Sequence, residues 1–99
     1  MLPLSIIIVN WNAGSQLAEA VTSIGLHHCN LVEAVIIVDN ASSDDSLARA
    51  EALTNLPFTM LIIRNAANCG FAKACNQGAN QTTCKYLLFL NPDSALYAE

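Results

Sequence analysis

Four runs of apolar residues recur along the chain, at 4–9, 34–38, 60–63 and 86–90, each of strand length and none with the alternation of a half-exposed strand. Continuous runs of this kind suit strands covered on both faces, as in a parallel sheet wrapped by helices. The last of them, Tyr86-Leu87-Leu88-Phe89-Leu90, runs straight into Asn91-Pro92-Asp93. It reads as a central strand whose pairing stops at Pro92, a residue with no N–H to give to a ladder. The repeat of about 25–30 residues is that of a βαβ unit, which predicts right-handed crossovers.

The intervening segments carry helix signals. Ser15 is a good N-cap for a first helix with Leu17, Val21 and Ile24 on one face, and Gly25 predicts its end. Ser43 caps a second, with Asp44 and Asp45 in the first turn, where the helix dipole favours carboxylates, and Leu47, Ala50 and Leu53 as the buried stripe. A third begins at or near Gly70 and places Phe71, Ala74, Cys75, Gly78 and Ala79 along one face. Phe71 is expected in the core, and the small residues let the helix lie close to the sheet. Leu56-Pro57-Phe58 reads as a loop into the third strand. The predicted fold class is α/β, a three-layer Rossmann-like arrangement of four mostly parallel strands and three crossover helices.

Each strand stops on amides or carboxylates: Asn10 and Asn12, Asp39 and Asn40, Asn65 and Asn68, then Asn91 and Asp93. In a parallel sheet the carboxyl ends lie together, so all four clusters should reach one edge, where open α/β sheets bind ligands. Taken singly, each cluster is also explained as an ordinary exit from a strand, and Asp93 as a turn aspartate. Their recurrence at every strand end points to a shared crevice.

Composition narrows what that crevice can hold. The 99 residues make one domain, 1–99, with 54% hydrophobic and 12% charged residues, so some apolar surface is expected to meet another surface. With a net charge of −4 and only Arg49, Arg64, Lys73 and Lys85 as fixed cations, no basic stripe exists for nucleic acid. An anionic ligand would have to be held by backbone N–H groups, helix N-termini or a divalent metal. Cys29, Cys69, Cys75 and Cys84 lack zinc spacing, the adjacent His27-His28 pair suits no single site, and the thiols read as reduced and incidental. The apolar start at 1–9 has neither a basic n-region nor the length of a membrane span, which predicts a cytoplasmic protein.

Four segments in order carry a resemblance: Ser5-Ile6-Ile7-Ile8-Val9-Asn10-Trp11-Asn12, Val38-Asp39-Asn40-Ala41-Ser42-Ser43-Asp44-Asp45-Ser46, Asn68-Cys69-Gly70-Phe71-Ala72-Lys73-Ala74-Cys75-Asn76-Gln77-Gly78, and Leu90-Asn91-Pro92-Asp93. Over nearly the whole chain they resemble the amino-terminal part of family 2 glycosyltransferases, the inverting enzymes of GT-A fold that use nucleotide-sugar donors. The Asn-Pro-Asp form of the metal motif is similar to that of the rhamnosyltransferase branch. The resemblance implies that Val9 and Trp11 lie along the base and ribose of a UDP- or dTDP-sugar, dTDP-rhamnose among them. Asp39 would accept a hydrogen bond from the pyrimidine N3–H, since an ionised carboxylate only accepts. Asn68, Gly70 and Asn76 would approach the nucleotide, Asn91 would reach the ribose, and Asp93 would bind Mg²⁺ or Mn²⁺ on the diphosphate.

Asn91 stands where many relatives have an aspartate, so metal binding is expected to depend on the donor. The resemblance places the catalytic base and the half that binds a saccharide or lipid-linked acceptor beyond the metal motif. No catalytic residue is therefore assigned here, Glu99 included, and the chain is expected to be a partial donor-binding half, inactive alone. Its fourth strand would then present an unpaired edge, and a homo-oligomer is expected. In the full-length enzyme, peripheral attachment at the inner membrane is compatible with this family. The alternatives are a non-catalytic nucleotide-binding or interaction module of Rossmann-like fold, for which Gly70 alone replaces the expected glycine triplet, and a receiver-like domain, for which Asn10 and Asn12 replace the acidic pair.

Overall fold

A computed structural model describes residues 4–27 and 31–93 of the chain. His28, Cys29 and Glu99 lie outside the described residues. The elements are β1 (Leu4–Asn10), α1 (Gln16–His27), β2 (Val32–Asp39), α2 (Ser46–Glu51), β3 (Thr59–Arg64), α3 (Phe71–Ala79) and β4 (Tyr86–Leu90). The strands form one sheet in the order β3-β2-β1-β4, and every pair is parallel. The α/β class and four-stranded parallel sheet follow the expectation.

Strand alternation divides the core in two. Ile6, Ile8, Val35 and Ile37 face α1 and α2, where they meet Leu17, Val21, Ile24 and Ala50. Ile7, Ile36 and Val38 face α3 through Ala74. Only β1 and β2 are covered on both faces, because they are the inner strands of the order. Their runs are accordingly the most buried of the four.

β4 lies at the margin of the sheet, not at the centre its apolar run suggested but with the unpaired edge expected of a partial chain. It pairs only with β1, and Tyr86, Leu87, Leu88 and Phe89 are between 37% and 46% exposed. Four successive exposed residues mean that neither face is covered by the described residues. Phe71 is a second correction: it opens α3 and is 56% exposed, while Ala74 and Gly78 on the same stripe are buried. The helix starts at the rim, so its first residue overhangs the strand ends. Helix α1 runs two residues past Gly25 to His27, with Gly25 set against Pro57 and Phe58. Helix α2 starts at Ser46, with Asp45 and not Ser43 at its N-cap and no side-chain cap bond.

Candidate functional site at the carboxyl rim

All four polar clusters reach the same edge of the sheet, as a parallel arrangement requires. Asn10 pairs with Asp39 and Ile8 with Leu90, so the ends of β1, β2 and β4 are level. β1 separates β2 from β4, which sets the backbones leading to Asp39 and Asp93 about 10 Å apart across the rim, two inter-strand spacings. The rim is divided between two surroundings.

On one side lies an open crevice of about 350 Å³ between the ends of β1 and β4. Val9, Trp11, Asn12, Gln16, Asn91 and Asp93 are among its lining residues. Trp11 is 58% exposed there, an indole face available for stacking, and Asn91 and Asp93 are exposed beside it. None of the described residues lining this crevice is Lys or Arg. Arg49 is paired with Asp45 and Arg64 with Glu51, while Lys85 lies over the Tyr86 ring at the opposite end of β4.

On the other side the β1–α1 and β2–α2 loops are knotted together. The carboxylate of Asp39 is nearly buried and accepts from the Asn10 amide (2.9 Å), the Ser42 hydroxyl (2.7 Å) and the Ser42 N–H (3.1 Å). Asn12, with φ of 51°, turns its carbonyl oxygen onto the N–H groups of Ser43 (2.7 Å) and Asp44 (3.2 Å). Asp44 accepts from the Ser46 hydroxyl and N–H and from the Gly14 N–H. Those donors, the Ser46 hydroxyl foremost, hold its carboxyl below the usual carboxylate range.

A second set of amides anchors the loop that enters α3. Asn65 and Gln77 exchange two hydrogen bonds, at 2.8 and 3.0 Å, and Asn65 also donates to Asn40 (3.0 Å). Buried Asn40 in turn donates to the Gly70 carbonyl at 3.2 Å. Asn68 closes its own turn by accepting from the Gly70 N–H at 2.8 Å, and Gly70 takes φ of 86°, which suits a residue without Cβ. Of the residues singled out from sequence, Val9, Trp11, Asn91 and Asp93 come together in the crevice. Asp39 sits in the loop knot, Asn68 and Gly70 in the loop before α3, and Asn76 is exposed on α3. Asn10 and Asn40 stood out as strand-end amides and Ser42 as part of a motif, but none was given a partner, because nothing in a strand-end amide or a loop serine announces which carboxylate or carbonyl it will meet.

The described residues contain no group of three His, Cys, Asp or Glu side chains placed to hold a metal. The crevice instead offers hard oxygen donors, the Asp93 carboxylate beside the Asn91 amide. One carboxylate with phosphate oxygens and water is a common way to hold Mg²⁺, so the donor set fits a metal that arrives with a diphosphate.

A parallel sheet with helices on both faces and a polar crevice at its carboxyl edge defines an open α/β fold with a ligand cleft at its strand ends, and its match to solved glycosyltransferases makes that fold GT-A. The family model for glycosyl transferase family 2 matches residues 5–99, and the chain belongs to that family. A PGL/p-HBAD biosynthesis glycosyltransferase of Mycobacterium tuberculosis is 33% identical over 93 residues, covering 94% of this chain and 36% of the relative. The uncharacterized glycosyltransferase YibD of Escherichia coli is 32% identical over 95 residues, covering 95% of this chain and 27% of its own. The chain thus spans about a third of the length of such relatives. Among solved structures, the mannosyltransferase PcManGT of Pyrobaculum calidifontis, in complex with GDP-Man and Mn²⁺, superposes with a TM-score of 0.86 at 20% identity, over 96% of this chain and 28% of that one. Residues 1–349 of TarS from S. aureus, in complex with UDP-GlcNAc, give 0.80 at 23% identity, over 93% of this chain and 27% of that one. At these identities the likeness shows the fold.

Proposed function

We propose that residues 1–99 are the donor-binding half of an inverting glycosyltransferase, taking a UDP- or dTDP-sugar, with dTDP-rhamnose a candidate, through Mg²⁺ or Mn²⁺ at Asp93. The observation that carries this reading is the single crevice shared by Val9 and Trp11 at the end of β1 and by Asn91 and Asp93 beyond β4. It sets an aromatic face and a carboxylate within one recess, the two features that a nucleoside diphosphate with its metal requires. Trp11 and Val9 would lie along base and ribose, and Asn91 would bond a ribose hydroxyl. Asp39 would accept from the pyrimidine N3–H. Gly70 and Asn68 would bring the backbone before α3 towards the nucleotide, and exposed Asn76 would act from the same helix.

The absence of Lys and Arg from the described crevice lining supports a metal, since the charge of a diphosphate needs an offset there. When bound, the metal offsets charge building on the departing nucleoside diphosphate. The complexes named above, with GDP-Man and Mn²⁺ and with UDP-GlcNAc, support the same ligand class for this fold. The acceptor, a saccharide or a lipid-linked saccharide, and the base that deprotonates it belong in this reading to further chain, and the enzyme is assigned to the cytoplasm. Among the described residues no helix is long and apolar enough to cross a membrane.

Thermal melting tests the proposal. UDP or dTDP with Mn²⁺ should raise the melting temperature, by the equivalent of about 2.7 kcal/mol at a hundredfold excess over Kd, and Asp93→Asn should remove the rise. No shift with either nucleotide, or an equal shift in Asp93→Asn, would overturn it.

A further inference from the structure

Asn10 is fully buried, yet its side chain is bonded at one end only. The two N–H groups of the amide are shared among three acceptors: Asp39 Oδ1 at 2.9 Å, Ser46 Oγ at 2.9 Å and Ser42 Oγ at 3.2 Å. Its Oδ1 has no hydrogen-bond partner. Reversing the amide would bring that oxygen to 2.9 Å from a carboxylate oxygen, so the nitrogen is the end that belongs towards Asp39. A buried carbonyl oxygen without a donor costs stability. Asn10 follows Ile6 and Ile8 on the same face of β1, where an apolar side chain would have continued the core.

What the amide achieves is visible on Asp39. Oδ1 receives two donors, the Asn10 amide and the Ser42 hydroxyl, while Oδ2 receives one, the Ser42 N–H. An ionised carboxylate has about four acceptor sites, so this pattern fills Oδ1 and leaves Oδ2 with an open one. Three donors, one from the end of β1 and two from Ser42 in the loop after β2, also fix the plane of the carboxylate.

We propose that Asn10 and Ser42 are positioning residues for Asp39, clamping Oδ1 so that Oδ2 is the oxygen presented to the N3–H of a pyrimidine base. This rests on the donor-binding reading above. The clamp acts through Asp39 on the base and not on the metal at Asp93, since neither Asn10 nor Ser42 is among the residues beside Asp93 in the crevice.

Two ligands separate the halves: UDP with Mn²⁺, and pyrophosphate with Mn²⁺, which lacks the base. Titration calorimetry should show Asn10→Leu binding UDP roughly tenfold more weakly than the parent chain, the size of one hydrogen bond to a charged group. Its pyrophosphate affinity should be unchanged. Its melting temperature should stay within a few degrees of the parent, because the orphaned oxygen leaves with the amide and every acceptor that loses Asn10 keeps another partner or role. Ser42→Ala removes the second donor to Oδ1 from a partly exposed loop, and should show the same split if Asn10→Leu does not fold. UDP binding unchanged in the folded variants, or UDP and pyrophosphate weakened in equal proportion, would overturn the clamp while leaving the donor-binding reading in place. A parent chain that binds pyrophosphate but neither UDP nor dTDP would remove both.

Discussion

Asn91 enters the crevice beside Asp93 as an amide, so the pair brings one negative charge and not two. A divalent cation loses strongly held water on binding, and one carboxylate returns too little for that loss unless phosphate oxygens join it. Mn²⁺ should therefore bind the empty chain weakly, and Asn91→Asp should strengthen that binding by about tenfold, both read by titration calorimetry without nucleotide. Tight Mn²⁺ binding to the parent chain alone would contradict the expectation. The placement of Asp39 and Asp93 at the carboxyl ends of β2 and β4 was legible from sequence, because a carboxylate at or just past the end of an apolar run is conspicuous. The clamp on Asp39 was not, since Asn10 lies 29 positions away and meets it only through parallel pairing in register. Asp44 is similar: its neighbours Ser46 and Gly14 are near and far in the chain respectively, and only the loop knot gathers them on one carboxylate.

Helix α3 lies against β1 and β2 with nothing between them at Gly78. A Cβ added there would come to 2.6 Å from Ile7 Cγ2 and 3.3 Å from Val38 Cγ2, both inside the core. Gly78→Ala should therefore destabilise the chain by about 1–2 kcal/mol despite its better helix propensity, measured by urea unfolding. An increase in stability would mean that the helix can move off the sheet at little cost. The small-residue face of this helix was readable from Ala74 and Gly78, and the sheet beneath them is where the pattern said it would be. Its first residue was misread. Phe71 shares the stripe in projection, but a helix that begins at the rim carries its opening side chain past the last strand residue. Helix periodicity specifies a direction around the axis; it does not specify how far along that axis the partner surface extends.

At the scale of the whole molecule β4 stands out, with Tyr86, Leu87, Leu88 and Phe89 exposed in succession and an outer edge that no strand among the described residues pairs. Exposed, uncharged edge strands recruit other strands. We expect the isolated 99 residues to self-associate through β4, and Leu88→Lys to shift the population towards monomer in sedimentation velocity. A monomeric parent chain at high concentration would count against this. By itself the sequence determined the strands, their parallel direction and the edge to which the polar residues come, because hydrophobic period and crossover length are local properties that permit few topologies. Only the tertiary structure decided that β1 lies between β2 and β4, that the rim divides into a crevice and a knot, and that Asn10 meets Asp39. An apolar run is the same string whether it is covered or waiting to be covered, and strand order, which settles the matter, is fixed by contacts between segments far apart in the chain.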